Sequence, residues 1–423
     1  MTEHWTRLPV RKGGHMSART RVEQSPGLSR LLDERLATLP DPVRGITTDG
    51  AVRNGLFPLA PTGVSTKPIT DAAQTFLQAL GAEQRARTVH SLDADEWRTW
   101  NNIHPNCWRH GMMLEDLPDL TRKLALDLVA ASLSARGFEQ ARDIMRLNGL
   151  LAVVSGSPDE FGEWPYFLSI FGEPSDAVPW GWQLDGHHLN VNCMVIGDHL
   201  LMTPTFMGSE PCDGSDELLP GTSVFVAEER AGLDLIRSFD ASQRSRAVTR
   251  PSIHPDDLPQ ELKHPFDGRM VGGTGHDNAV VPYEGVVARD LSDAQRRLLL
   301  SLVGTYVGWT RDRHADIKMR EVDAHLDETW FSWMGATTDD GPFYYRVHSP
   351  VVLIEFDHHP GVVFDNPVPS RNHIHTIVRT PNGGDYGVDL LRQHHERYDH
   401  SHGTHEPRRQ WHCFDALLEL REV

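Results

Sequence analysis

Apolar and polar positions divide the chain into stretches of two different periods. Before Gly81, the run Asp71-Ala-Ala-Gln-Thr-Phe-Leu-Gln-Ala-Leu repeats apolar residues every three or four positions, which predicts an amphipathic helix. Residues 120–135 and 138–151 keep that spacing on either side of Gly137, so 70–154 read as a helical module. Helices are also expected at 223–238, 292–306 and 315–326, with one more at 29–39 inside a Pro-, Gly- and Thr-rich arm. Elsewhere the period drops to two. Trp180-Gly-Trp-Gln-Leu-Asp-Gly-His-His-Leu-Asn-Val-Asn-Cys-Met-Val-Ile reads as one strand, joined across Gly197-Asp198 to His199-Leu-Leu-Met-Thr-Pro-Thr-Phe. Further strands are expected at Thr329-Trp-Phe-Ser-Trp-Met-Gly, Phe343-Tyr-Tyr-Arg-Val-His, Val351-Val-Leu-Ile-Glu-Phe-Asp and His373-Ile-His-Thr-Ile-Val-Arg.

Strands and helices fall in separate runs, which predicts an α+β fold. The expected form is an N-terminal helical module packed on a mostly antiparallel β core, with a helical insertion between its strand groups. The boundaries that follow are 1–69 (a tag remnant and extended arm), 70–154 (the helical module) and 155–225 (a first β segment). Then come 226–326, a helical insertion with a long loop, and 327–423, a second β segment with a His-rich tail. The loop, residues 250–287, is longer than compact domains normally carry without a functional or ordering reason. No internal repeat or low-complexity tract stands out.

Composition narrows the chemistry. The 423 residues hold 59 acidic and 41 basic side chains, a formal net charge of −18, so a nucleic-acid or anionic-membrane partner is not expected. No run approaches the roughly 18 apolar residues of a membrane span, and no signal segment opens the chain, so a cytoplasmic location is expected. Gly13-Gly14-His15-Met16 reads as a cloning remnant ahead of a second start. Cys107, Cys193, Cys212 and Cys413 stand far apart with no C-x-x-C pair, which argues against zinc knuckles, iron–sulfur clusters and a disulfide scaffold. No glycine-rich phosphate loop or Gly-x-Ser-x-Gly elbow appears, so no nucleotide cofactor is expected. Histidine is the outlier, at 24 residues.

His373 and His375, two apart on a strand, point to one face and can chelate one ion. In Asp185-Gly-His187-His188, alternation lets only one imidazole enter a shared polar cavity. His188, beside Asn190 and Asn192, is the favoured ligand, and His187 a supporting or catalytic group. Glu355 stands in an apolar run where a carboxylate needs a metal or an arginine, so it is a candidate ligand and a candidate catalytic group. Asp357, two residues on, is a candidate general base. Arg109 and Arg346 are candidate grips for a substrate carboxylate, with Tyr344, Trp182 and Asn190 as further substrate contacts. Trp180, Trp182, Phe206, Trp330, Trp333, Phe343, Tyr344 and Tyr345 indicate either sheet packing or an apolar substrate pocket. The run His394, His395, His400, His402 and His405 reads as a solvated tail.

Three imidazoles and at most one carboxylate suit iron, copper or zinc and not magnesium or calcium. One reading is an oxygen-using oxidoreductase, with iron or copper and dioxygen, acting on a small organic acid, possibly aromatic or amino in character. A zinc-type hydrolase or lyase and a non-catalytic binding protein are the alternatives. The oligomeric state stays open.

Several motifs in fixed order carry a resemblance. They are Phe76-Leu-Gln-Ala-Leu with Gln84-Arg85, Trp100 with Arg109-His-Gly, Ala131-Ser-Leu-Ser, and Tyr166-x-x-x-Ile-Phe-Gly. Trp180-Gly-Trp with Gly186-His-His-Leu-Asn, Thr203-Pro-Thr-Phe-x-Gly and Asn372-His-Ile-His complete the set. Together they resemble the bacterial and fungal domain of unknown function 3500 family over about residues 70 to 400. The resemblance implies that Gly186-His187-His188, Glu355 and His373-x-His375 are the family's polar landmarks. This chain departs from it where Asp357-His358-His359-Pro360 leads into a Pro-rich insert, residues 361–370.

Overall fold

The computed structural model describes residues 4–11, 26–103, 107–263 and 267–398, with side chains throughout except at 26–28 and 31. The cloning remnant, Cys413 and the histidines at 400, 402 and 405 lie outside these residues. The helices are α1 Pro26–Leu36, α2 Lys67–Gln78, α3 Ala82–Thr88, α4 Asp119–Ser132, α5 Ala135–Ser155, α6 Val226–Ser238, α7 Ala241–Ala247, α8 Asp293–Val307, α9 Asp312–Ala324 and α10 Val388–Arg397. The strands are β1 Val89–His90, β2 Met112–Met113, β3 Tyr166–Phe171, β4 Trp180–Gly186, β5 Leu189–Ile196, β6 His199–Leu201, β7 Thr205–Ser209, β8 Val248–Arg250, β9 Val286–Val287, β10 Trp330–Gly335, β11 Phe343–His348, β12 Leu353–His359 and β13 Ser370–Arg379. The fold is α+β. Among the described residues no helix is long and apolar enough to cross a membrane.

Helix ends follow their residues. Ser134 caps α5 by accepting from the Gly137 amide, and Gly156 closes that helix at φ +68°. Ser292 and Gln295 form a capping box at the start of α8.

All the strands join one sheet, whose path runs β1-β3-β4-β5-β7-β13-β12-β11-β10-β8, antiparallel except at its two ends. That order reads the same from either edge, and the sequence agrees. Gly111-Met-Met-Leu-Glu-Asp-Leu, leading into α4, is matched by Gly285-Val-Val-Ala-Arg-Asp-Leu, leading into α8. Both glycines hold positive φ, +82° and +92°, and a Cβ on either would strike the backbone of the long strand beside it. Arg122 donates to the Leu114 carbonyl, and its counterpart Arg296 to the Ala288 carbonyl. The chain is therefore an internal duplication whose halves meet at β7 and β13, contrary to the reading of no repeat. The helices between the strand groups are the counterparts of the N-terminal module.

The sheet has one apolar and one polar face. Trp182, Trp333, Phe343, Tyr345 and Phe356 share the first, which packs on the helices: Trp182 Nε1 donates to Ser132 Oγ of α4, and the Tyr345 hydroxyl to the Glu228 carbonyl of α6. The other face carries Gln183, Asp185, Asn190, Asn192, Tyr344, Arg346, Glu355, Asp357, His373 and His375, all buried. Buried polar groups need partners, and the long loop supplies many of them. Arg269 pairs with Asp357, and the Val271 and Gly272 amides donate to Glu355. Covering this face is the ordering reason that the loop's length called for.

Candidate metal centre

The stretch read as one strand is a hairpin. β4 ends at Gly186, β5 begins at Leu189, and His187 and His188 are the turn between them. Alternation therefore does not separate their rings; they stack, with centroids 3.9 Å apart. His188 sits at φ +61°, an uncommon conformation for a residue with a side chain. Its backbone is held from two sides, its amide donating to the Asn102 carbonyl at 3.1 Å and its carbonyl accepting from Gly208 at 2.7 Å. His187 is fixed behind it, Nδ1 lying 2.8 Å from Asn148 Oδ1.

This turn carries the His188 ring onto β13. The ligand nitrogens of His188, His373 and His375 lie within 4.8 Å of one another, and all three residues are buried. His373 Nε2 is 2.9 Å from His375 Nε2 and 3.2 Å from His188 Nε2. His373 Nδ1 faces the Pro360 carbonyl at 2.8 Å, an acceptor only, so that nitrogen carries the proton and Nε2 offers a lone pair. One lone pair can take one N–H, yet two nitrogens press on it. A cation at the common point resolves the conflict: ligand bonds of about 2.0–2.1 Å in a tetrahedral arrangement hold nitrogens about 3.3 Å apart. Burial, and then the neighbouring imidazoles, push His188 and His375 well below the usual histidine range, which keeps them in the neutral, ligating form.

Around the triad the carboxylates are committed to other groups. His359, which the sequence reading did not single out, lies against His375 with centroids 3.9 Å apart and rings tilted by 37°, and places Nε2 3.0 Å from Asp357 Oδ2. Burial would raise the Asp357 carboxyl, but Arg269 and His359 outweigh it and hold it below the usual range. Glu210 Oε2 lies 3.9 Å from His373 Nδ1, and its carboxylate takes the amides of Val362, Val363 and Phe364. The insert, residues 361–370, thus braces His373 from behind.

Glu355 does not join the cluster, contrary to the expected ligand role. It shares the polar face but lies farther along β12, where its carboxylate takes the Val271 and Gly272 amides and the Tyr344 hydroxyl. Arg346 beside it pairs with Glu284 at 2.7 Å, and Tyr344 is committed to Glu355, so neither is placed to grip a substrate. Trp182 is on the apolar face, away from the triad. Asn190 is tied to Asp185 and Asn192. Arg109 is exposed, and Asp357, the candidate base, is held by Arg269. Cys107, Cys193 and Cys212 are buried free thiols.

A buried Arg–Asp network lies beyond the centre. Asp277, from the long loop, accepts from Arg379 Nη1 at 2.9 Å, Arg98 Nε at 3.0 Å and Arg35 Nη2 at 3.4 Å. These groups come from β13, the segment before β2, and α1, so nothing local in the sequence announces them.

The buried histidines set an acid limit. Burial lowers His110 and His359 to about 4 and His348 to about 3, and depresses His188 and His375 as well. A group lowered on folding stabilises fully above its unfolded value, about 6.5, and that contribution is lost as the pH falls below it. Asp185 and Asp267, raised to about 7 by burial, work the other way, losing their contribution as pH rises through that value. Burial also lowers His90, His199 and His314 and raises Glu228, Glu355 and Asp385, so among the described residues eight lowered histidines stand against five raised carboxyls. The thermal midpoint of the metal-free protein is therefore expected to drop steadily between about pH 6.5 and 4.5 in circular-dichroism melts. A flat profile in that window would show that these rings are not buried neutral.

The chain matches the family described as "Protein of unknown function (DUF3500)" over residues 62–388. No significant match is found among curated proteins or solved structures. With most of its length covered by that match, the chain belongs to the DUF3500 family of proteins of unknown function.

Proposed function

We propose that the protein is a metalloenzyme in which His188, His373 and His375 hold one transition-metal ion and leave its remaining positions open. The observation that carries this is the convergence of three imidazole nitrogens on one point, with His373 polarised from behind by the Pro360 carbonyl. A ligand set of imidazoles without thiolate suits iron, copper or zinc.

The reaction favoured is an oxygen-using oxidation of a small organic acid, on iron or copper. A metal-bound hydroxide mechanism needs a base with freedom to take a proton. The carboxylates nearest the triad, Asp357 and Glu210, are bound to Arg269 and to three backbone amides. The redox reading needs no such base, since a bound iron or copper ion would supply the electron transfer. The polypeptide's part is then to orient the three rings and exclude water. The aromatic side chains lend this reading no weight, because most of them pack on the far side of the sheet. The second reading, a zinc-type hydrolase or lyase, is favoured by His359 on Asp357, the nearest proton-handling pair.

The test is oxygen uptake by protein reconstituted separately with iron(II), copper and zinc, against a panel of short organic acids. Uptake with iron or copper and none with zinc is the expected outcome. Turnover of esters or amides by the zinc form alone would move the assignment to the second reading.

A further inference from the structure

A cavity of about 160 Å³ lies beside the metal centre, lined in part by Arg35, Asn101, Asn102, Trp108, Asp267 and Thr274. At roughly 30 Å³ per water, that is room for a molecule of a few heavy atoms. Two of its walls are one step from the triad. The Asn102 carbonyl accepts the His188 amide, and Gly268, next to Asp267, packs so close to His359 that a Cβ there would come within 2.6 Å of its ring.

The wall is rich in unpaired polarity. Arg35 is 6% exposed, and its Nε and Nη1 have no hydrogen-bond partner among the described residues. The same holds for Asn102 Oδ1, Thr274 Oγ1 and Trp108 Nε1. Natural interiors rarely leave such polar groups unpaired. Arg35 is also the least compensated of the three guanidiniums around Asp277, at 3.4 Å against 3.0 and 2.9 Å for Arg98 and Arg379. Three buried arginines face Asp277 and Asp385, with Asp267 the third carboxyl nearby. Its proton is held to about pH 7 by burial and by Glu355, so at neutral pH it does not fully cancel the excess positive charge.

We propose that this cavity binds the carboxylate of a short-chain organic acid, with Arg35 as its principal cationic contact and the donors of Thr274 and Trp108 beside it. The site takes over the role that the sequence assigned to Arg109 and Arg346. It rests on the metalloenzyme reading for its purpose, by placing the acid one residue from the His188 turn, but its binding chemistry is independent of the metal. Glu34 also lines the cavity and is exposed, so the entrance repels anions while the buried end attracts them. That balance selects small monoanions over larger polyanions.

The experiment is calorimetric titration of the full-length protein, with metal bound and after chelator treatment, using acetate, propionate and lactate against acetamide and propionamide. The expected result is saturable binding of the acids and none of the amides, in both metal states. Arg35→Gln is expected to weaken binding by at least about tenfold, and the surface variant Lys123→Gln to leave it unchanged. If Arg35→Gln does not fold, Thr274→Val and the acid-against-amide comparison in the unaltered protein decide the matter. Acids that bind no better than amides overturn the proposal. Acid binding that survives in a protein shown to take no metal would retain this site while removing the metalloenzyme reading.

Discussion

Replacing His375 with alanine is expected to lower the metal content of the purified protein from about one ion per chain to near zero. Two nitrogens, from His188 and His373, remain, and a two-ligand site on a rigid sheet and a clamped turn has no means of closing around the ion. Loss of a group that merely supports a ligand costs about 10–100-fold in affinity, so losing a ligand should cost more. The readout also separates ligation from folding. His375 Nδ1 has no hydrogen-bond partner among the described residues, so in the metal-free state the ring contributes packing but carries an unmet polar group. The metal-free variant should therefore melt close to the metal-free parent, and only the rise in midpoint on adding metal should disappear. His348→Ala, buried on the same face but outside the triad, should keep its metal. A His375→Ala protein with undiminished metal would falsify the ligand assignment.

The second large effect is on stability. Asp277→Asn keeps the shape of the side chain and removes its charge. Three buried guanidiniums then lose the carboxylate on which they converge, while Asp385, 3.2 Å from Arg379, keeps its contact with that one. Breaking a buried ion pair by neutralising one partner typically costs about 3–5 kcal/mol, because the stranded charge stays desolvated. For a protein of this size that is a fall in melting midpoint of roughly 3–6 °C. The network joins α1, the segment before β2, the long loop and β13, so the loss spreads to the cover over the metal centre and should weaken metal retention as well. Asp127→Asn, which breaks the exposed Lys123–Asp127 pair on α4, should leave the midpoint unchanged.

Which parts of this were legible depended on how local their cause was. The His373 and His375 pair could be read because strand alternation is a local rule. The fold class followed from the segregation of periods, and most long helices began within a few residues of expectation. His188 was reached for an incomplete reason. Its neighbours Asn190 and Asn192 suggested a polar site, but the turn that aims it has histidine at positive φ where glycine or asparagine would have signalled a hairpin. Glu355 was misassigned because the amides that satisfy it come from Val271 and Gly272, more than eighty positions away. Arg35 was hidden for the same reason, in an arm with no visible link to Asp277 or to the cavity. The duplication was within reach: Gly111 and Gly285, Asp116 and Asp290, Leu117 and Leu291, and Arg122 and Arg296 occupy matching places. A connecting loop much longer in the second half obscured it.

X-ray absorption on protein purified without chelators is the most direct measurement of the three-histidine centre. Edge position would identify the element, and the extended fine structure should show nitrogen neighbours at about 2.0–2.1 Å with the multiple scattering of three imidazoles. A protein that takes up no ion even when iron, copper and zinc are supplied, or a spectrum dominated by sulfur or by carboxylate oxygen, would contradict it.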